Sequence, residues 1–168
     1  SRLELNTHFN KKVSDKWATS LFVHGNARTQ KMDKNNDGFM DNPLGKQINV
    51  LNRWQYTNAE KGWVSFINVR YMKDEKQTGE LDFDANRDKG TTNFWGSEIN
   101  TERVDVSTKI GYVFPNMPYQ SIGFQNAFTS HKQDSYFGLN DYQIAQKSFY
   151  SNLILNSIIN NTKNRFAT

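Results

Sequence analysis

Apolar and polar residues alternate one by one along most of this chain, and that period of two constrains the fold more than any other feature. The segment 103–114 is the clearest case, because Val104 and Val106 each stand between polar neighbours. Successive side chains of a β-strand point to opposite faces, so this alternation predicts strands with one apolar and one polar face. Apolar residues at helical spacing are scarce, and the chain is therefore predicted to be all-β.

The alternation predicts seven strands separated by polar segments rich in Asn, Asp and Gly. An eighth strand is predicted to begin at Phe166. Lengths of about ten residues suit strands that cross a bilayer at a tilt. The seven strands lie near 1–10, 17–27, 46–56, 63–73, 101–114, 119–131 and 142–159.

The connections between these strands are predicted to alternate strictly between short and long. Short turns lie near 12–15, 58–62 and 115–118, and long polar segments cover about 27–45, 74–100 and 132–141. A soluble sandwich has no reason to sort its connections by length. A transmembrane β-barrel does, because it keeps short turns on the periplasmic side and longer loops outside. The predicted fold is an antiparallel up-and-down transmembrane β-barrel.

The composition is consistent with such a barrel. Aromatic residues make up 14% of the chain although its mean hydropathy is only −0.82. A barrel combines the two, because only the lipid-facing half of each strand needs to be apolar. Several aromatics sit near the short turns and predict an interfacial girdle, while packing in an ordinary β core is the alternative. They are Trp17, Trp54, Tyr56, Trp63, Phe114 and Tyr119.

Composition also excludes several function classes. The chain has no Cys, so it can hold neither a disulfide nor a thiolate-bound metal. Its formal net charge is +4, but Lys and Arg are scattered among acids, and no nucleic-acid partner is predicted. No nucleophile triad, phosphate loop or paired-carboxylate motif stands out, so no enzymatic activity is predicted.

The segment 33–44 has the spacing of a calcium-binding loop. Oxygen-bearing residues occupy positions 1, 3, 5 and 9 of an EF-hand-style loop, and Gly38 occupies position 6. Leu44 stands where the usual bidentate acid would be, so such a site needs a ligand from elsewhere. The alternative is an Asx-rich turn without metal. The candidate ligands are Asp33, Asn35, Asp37, the Phe39 carbonyl and Asp41.

The run DKNNDGFMDNP followed by QINVLNRWQY, within 33–56, resembles a segment of TonB-dependent outer-membrane receptors, in the cobalamin-receptor-like branch. Two later pieces look like successive barrel hairpins of the same family. These are WVSFINVRYMKDEKQTGE and TKIGYVFPNMPYQSIGFQNAFTSHKQDSYFG.

The resemblance implies a barrel of about 22 strands, of which this chain supplies seven to eight. Residues 1–168 are accordingly expected to be a fragment of the barrel domain, with the plug domain outside it. The implied function is energy-coupled uptake of a scarce nutrient such as a cobalamin, a siderophore or a glycan. The implied partners are outer-membrane lipid, the TonB system, the protein's own plug, the ligand and a surface lipoprotein.

Two sets of site residues are predicted. The outer loops are read either as a ligand gate, with aromatics stacking on the ligand and acids binding cations, or as solvated and mobile segments. The gate candidates are Asp82, Asp84, Phe94, Trp95, Tyr136 and Phe137. A second set is expected to face the lumen, where the resemblance suggests contacts with a plug and simple hydration is the alternative. These residues are Asn49, Arg53, Asn68, Arg70, Asp105 and Lys109.

Two further interpretations stay open at the level of sequence. A complete eight-stranded barrel with a structural or adhesive role requires the first and last strands to pair. A soluble calcium-binding β-sandwich that binds carbohydrate requires two packed sheets and folding that depends on calcium.

Overall fold

The computed structural model describes residues 2–117, 119–159 and 161–168, and leaves aside the side chains of 159 and 161–164. Eight strands form one antiparallel sheet in which every strand pairs with its neighbour in sequence. The predicted all-β, up-and-down architecture is therefore confirmed. The strands are β1 (Leu3–Lys12), β2 (Trp17–Arg28), β3 (Leu44–Asn58), β4 (Trp63–Gly79), β5 (Gly96–Val113), β6 (Ser121–Phe137), β7 (Asn140–Ile159) and β8 (Asn161–Ala167).

The middle strands are longer than the alternation predicted. β4 continues to Gly79 and β5 begins at Gly96, so the predicted connection 74–100 shrinks to 80–95. The added pairing of 74–79 with 96–101 is mostly polar. It forms all the same, because the hydrogen bonds of a β-ladder join backbone groups and do not depend on apolar side chains. Charged side chains two residues apart in β4 form ion pairs along this segment. The distance between Lys76 Nζ and the Asp74 carboxylate, for example, is 2.9 Å.

The predicted long connection at 132–141 is wrong. β6 runs on to Phe137, which pairs with Asn140, so only Gly138 and Leu139 lie between β6 and β7. Gly138 has φ +60°, a left-handed conformation that glycine adopts at no steric cost. Short and long connections therefore do not alternate strictly. The eighth strand also begins earlier than predicted, at Asn161 rather than Phe166.

The sheet has two unlike ends. The turn end carries the connections 13–16, 59–62 and 114–120, of which residue 118 is outside the described residues. The loop end carries the connections 29–43, 80–95 and 138–139, and a four-residue helix, α1 (Ala85–Asp88), lies within the second of these. Both long connections share one end, because the up-and-down order brings every second connection to the same end of the sheet.

The described part of the chain buries very little apolar surface. Its buried hydrophobic residues are Met40, Phe83 and Tyr136, all at the loop end. No described helix has the length and apolarity needed to cross a membrane. Among the described residues β1 and β8 form the two edges of the sheet, with no pairing between them.

Candidate functional site

The strand register sorts side chains into one apolar and one polar face. A single cross-strand row illustrates the apolar face, with one residue on each strand from β1 to β7. That row is Phe9, Leu21, Asn52, Val69, Val106, Phe128 and Phe149. The adjacent row lies on the opposite face and is mainly polar, because neighbouring residues alternate. That row is Asn10, Ser20, Arg53, Asn68, Ser107, Ala127 and Tyr150.

Large apolar side chains on the first of these faces form a band across β1 to β7 that we call the apolar belt. Most of them are solvent-exposed, because no other element of the described chain covers this face, and Val104 and Val106 are half-buried. Uncovered apolar surface of this extent marks a contact with lipid or with a partner. The exposed members are Leu3, Leu5, Phe9, Trp17, Leu21, Ile48, Trp54, Trp63, Ile67, Val69, Tyr71, Ile110, Ile122, Phe124, Phe128, Phe149 and Leu153.

Aromatic rings border the belt at its turn end. The Trp17 ring lies 5.0 Å from that of Tyr56, and the Trp63 ring lies 4.8 Å from that of Tyr112, measured between centroids. Charged groups border the opposite side, where the Tyr71 hydroxyl donates to Glu102 Oε1 at 3.1 Å. The apolar band therefore lies between an aromatic row and a charged row.

The one polar residue in the apolar row has its hydrogen bonds satisfied within the sheet. Asn52 Nδ2 donates to Thr19 Oγ1 at 3.3 Å and to the Ser20 carbonyl at 3.2 Å. Trp54 Nε1 in turn donates to Asn52 Oδ1 at 2.8 Å. An amide with these partners can face a hydrocarbon phase at a much lower cost than an unpaired one.

All six residues predicted to face a lumen lie on the polar face. Arg70 Nε donates to Asn49 Oδ1 at 3.0 Å, and Asn68 Nδ2 donates to Ser107 Oγ at 3.1 Å. The remaining charged residues among them are Arg53, Asp105 and Lys109. Arg53 stacks its guanidinium 4.4 Å from the Phe66 ring centroid, and Arg103 donates to both carboxylate oxygens of Asp105.

The polar face is hollowed between these side chains. One hollow of about 420 Å³ brings Arg53, Asn68 and Lys109 together on three neighbouring strands. A second hollow of about 440 Å³ includes Asn49 and Arg70. The polar face can therefore offer charged and amide groups to a molecule or domain placed against it.

At the loop end, a small core holds the connections 29–43 and 80–95 together. Phe83 packs against Gly96, where even an added Cβ would lie only 2.4 Å from the ring. Its centroid is 6.4 Å from that of Tyr136, and Lys31 Nζ donates to the Phe83 carbonyl at 3.0 Å. The 80–95 connection is therefore packed against the sheet, not solvated throughout.

A buried ion pair orders α1. Asp88 is almost fully buried and accepts from Arg87 Nε at 2.9 Å, from an Arg87 terminal nitrogen at 2.8 Å, and from the Asp84 backbone N–H at 2.9 Å. The hydrogen bond from Arg87, followed by that from Asp84, holds the pKa of the Asp88 carboxyl below its usual value. The Asp84 side chain caps α1 by accepting from the Asn86 N–H at 2.9 Å.

The predicted gate residues differ in how far their side chains are exposed at the loop end. Tyr136 is only 3% exposed, so little of its side chain is open to contact by a ligand. The Phe94 ring is half-buried, and the Arg87 guanidinium lies 5.6 Å from its centroid. Trp95 and Phe137 stay exposed. Asp82 is exposed as well, whereas the carboxylate of Asp84 is used as the helix cap.

Sequence reasoning missed three exposed apolar residues at the same end as gate candidates. Phe39 was assigned to the calcium loop, while Leu139 and Tyr142 were assigned to a loop and a strand end. Phe39 contacts the distant Trp95, and Tyr142 contacts Phe137 across the β6–β7 turn. In the sequence, a tight turn at Gly138–Leu139 is the one feature that would bring Phe137 and Tyr142 together.

The Asp33–Asp41 segment forms a chain of Asx turns. Asp33 accepts from the Gly38 N–H at 3.0 Å, Asp37 from the Phe39 N–H at 2.8 Å, and Asp41 from the Lys34 N–H at 3.0 Å. Within the described residues, no three His, Cys, Asp or Glu side chains are placed to hold a metal ion. The calcium site remains a prediction.

Comparisons of the chain with protein-family models, with curated proteins and with solved structures find no match.

Proposed function

We propose that this chain is part of the barrel of a TonB-dependent outer-membrane receptor that takes up a scarce nutrient. The proposal rests on the sequence resemblance of 33–56 together with the layered faces of the sheet. The receptor would lie in the outer membrane with the apolar belt against lipid. The loop end would face outward and the turn end would face the periplasm.

The observation that carries the proposal is the apolar row from Phe9 to Phe149. The row has one residue on each of seven successive strands, and six of these seven residues are apolar. The adjacent row, on the opposite face, is mainly polar. A soluble sheet covers such a row with a second layer, whereas here five of its six apolar side chains stay exposed and Val106 is half-buried. A hydrocarbon phase supplies the missing cover.

The polar face would line the lumen. Its arginines and amides, in the two hollows described above, would bind the plug through hydrogen bonds and ion pairs. A plug needs reversible contacts, and partly hydrated polar groups provide them at modest free energy. No covalent chemistry is assigned to any residue.

The alternatives differ in how the sheet is completed. A β-sandwich needs two packed sheets, and the described residues form a single sheet, so the structure does not support the soluble sandwich. A complete eight-stranded barrel is favoured by the number of strands alone, and it needs β1 to pair with β8. The larger barrel places additional strands of the receptor at both edges.

Tryptophan fluorescence in lipid vesicles tests the membrane proposal. Three tryptophans border the belt at its turn end, namely Trp17, Trp54 and Trp63, whereas Trp95 lies at the loop end. The full-length protein is inserted into vesicles of brominated lipid, and each single Trp→Phe variant is compared with the parent. Loss of Trp17, Trp54 or Trp63 should reduce the lipid-quenched fraction of the emission.

Trp95→Phe is the matched control. It should raise the lipid-quenched fraction of the emission, because it removes a fluorophore outside the lipid, and it should reduce the fraction that aqueous acrylamide quenches. A protein whose three turn-end tryptophans are quenched only from water would contradict the proposal.

A further inference from the structure

Two pairs of aromatic rings stand exposed at the loop end. Phe39 and Trp95 have ring centroids 6.4 Å apart, and Phe137 and Tyr142 have centroids 5.9 Å apart. Their exposed fractions are 45%, 45%, 40% and 53% in that order. Gly138 connects the pairs, because it follows Phe137 in the chain and a Cβ added to it would lie 3.1 Å from the Trp95 indole. We call these four rings the aromatic platform.

Backbone hydrogen bonds fix the platform to the sheet. The Trp95 N–H donates to Glu80 Oε1 at 2.7 Å, and the Glu80 N–H donates to the Trp95 carbonyl at 2.9 Å. Phe39 forms a β-bridge with the same Glu80. The Gly138 N–H donates to the Gly96 carbonyl at 2.8 Å. Rings held in this way lose little conformational freedom when a ligand binds.

The charge around the platform is negative, in contrast to the whole chain. The connections 29–43 and 80–95 contain seven carboxylates against four basic side chains, whereas the chain as a whole has a formal net charge of +4. Two of the basic groups are already engaged, Arg87 with Asp88 and Lys89 over the Tyr136 ring. An anionic ligand approaching this end meets repulsion.

We propose that the aromatic platform binds an uncharged glycan, and this proposal rests on the receptor function proposed above. A pyranose ring presents apolar C–H faces that stack on aromatic rings and hydroxyls that need hydrogen-bond acceptors. The exposed Asn140 pairs with Phe137 across the turn, on the face that also carries Tyr142, and offers such an acceptor. Among the three nutrient classes named for the receptor, the local charge disfavours a polyanionic ferric siderophore.

Titration calorimetry of the full-length protein in detergent tests this proposal. The probes are a panel of neutral oligosaccharides and matched oligosaccharides that contain uronic acids. At least one neutral member should bind, and its uronic-acid counterpart should bind at least about tenfold more weakly. Trp95→Ala should weaken binding of the neutral member by about tenfold or more.

Tyr119→Ala is the control, because Tyr119 is an equally exposed aromatic residue at the opposite end of the sheet. It should leave the dissociation constant unchanged. Absence of binding by every neutral probe overturns the proposal, and so does equal or tighter binding of the anionic ones. An effect of Tyr119→Ala as large as that of Trp95→Ala also overturns it.

Lipid quenching of the turn-end tryptophans, measured after the same protein is inserted into vesicles of brominated lipid, distinguishes failure of the glycan assignment from failure of the receptor proposal. Quenching without glycan binding leaves the receptor proposal standing and removes the glycan assignment. Loss of quenching removes the receptor proposal, and with it the glycan assignment that rests on it.

Discussion

Asp88 is a carboxylate with almost no solvent exposure in a connection that reads as an acidic, solvated loop. Three N–H donors from Arg87 and Asp84 satisfy its two oxygens. A buried carboxylate is tolerated when it is paired and hydrogen-bonded in this way. Its backbone carbonyl also accepts from the Thr91 N–H at 3.0 Å, so one residue ties together both sides of α1.

The order of the 80–95 connection should therefore depend on pH. The pKa of Asp88 is lowered in the folded loop, so its stabilising contribution is fully present above the ordinary Asp pKa of about 4. That contribution is lost as the pH falls through the lowered value. Hydrogen–deuterium exchange of residues 80–95 in detergent should speed up across this acidic window, after correction for the intrinsic pH dependence of exchange.

The Asp88→Asn variant supplies the comparison for this prediction. It removes the titrating group, so its corrected exchange should already be fast at neutral pH and should change little on acidification. If the variant and the parent lose protection in parallel as the pH falls, another group is responsible.

At the scale of elements, the 29–43 connection is ordered by its own side chains. Asp33 accepts from two backbone N–H groups, of Asp37 at 3.3 Å and of Gly38 at 3.0 Å. Asn36 and Gly38 take the left-handed conformations that let the chain fold back on itself, with φ of 59° and 83°. The element can hold its shape by Asx turns, and calcium would add to an order that already exists.

Asp33→Ala should loosen this element, because two N–H groups lose their acceptor. A loss of about 1 kcal/mol corresponds to roughly fivefold faster trypsin cleavage after Lys34. Asp15→Ala is the control, since the carboxylate of Asp15 is also exposed and pairs only with Lys12 at 2.9 Å. Cleavage of both variants at the parent's rate would refute the role assigned to the Asx turns.

The same assay tests the calcium site. Bound calcium would slow cleavage of the parent after Lys34 relative to the rate in a chelator, because its ligands surround this bond. Equal rates in calcium and in chelator would count against the site.

At the scale of the whole molecule, the proposed function places the two faces of the sheet in different environments. The apolar belt meets lipid, and the polar face meets water or the plug. Val106 and Ser107 are neighbours in β5 but lie on opposite faces, so they form a matched pair for testing this arrangement.

Val106→Arg should prevent or weaken assembly in lipid, because a guanidinium near the bilayer midplane costs about 2–4 kcal/mol. Ser107→Arg, one residue along, should be tolerated within about 1 kcal/mol, because it faces water. The heat-modifiable shift of folded protein in cold detergent gels measures the folded fraction in vesicles. Equal loss for both variants would contradict the assignment of faces.

The sequence by itself determined the all-β class, the up-and-down order and the face of nearly every strand residue. Face assignment needs only the period of two, which a residue's immediate neighbours carry. That is why Asn49, Arg53 and Arg70 were placed on the polar face correctly. The aromatic row at the turn end was predicted from its position beside the short turns, which are also visible in the sequence.

Only the tertiary structure decided where the strands end and which loop residues are buried. The ladder between β4 and β5 continues through polar residues because the partner strand is present, and no property of 74–79 alone encodes that partner. Tyr136 is buried because Phe83, which precedes it by more than fifty residues, packs beside it. Local patterns fix which way a side chain points, whereas contacts between distant segments fix what covers it.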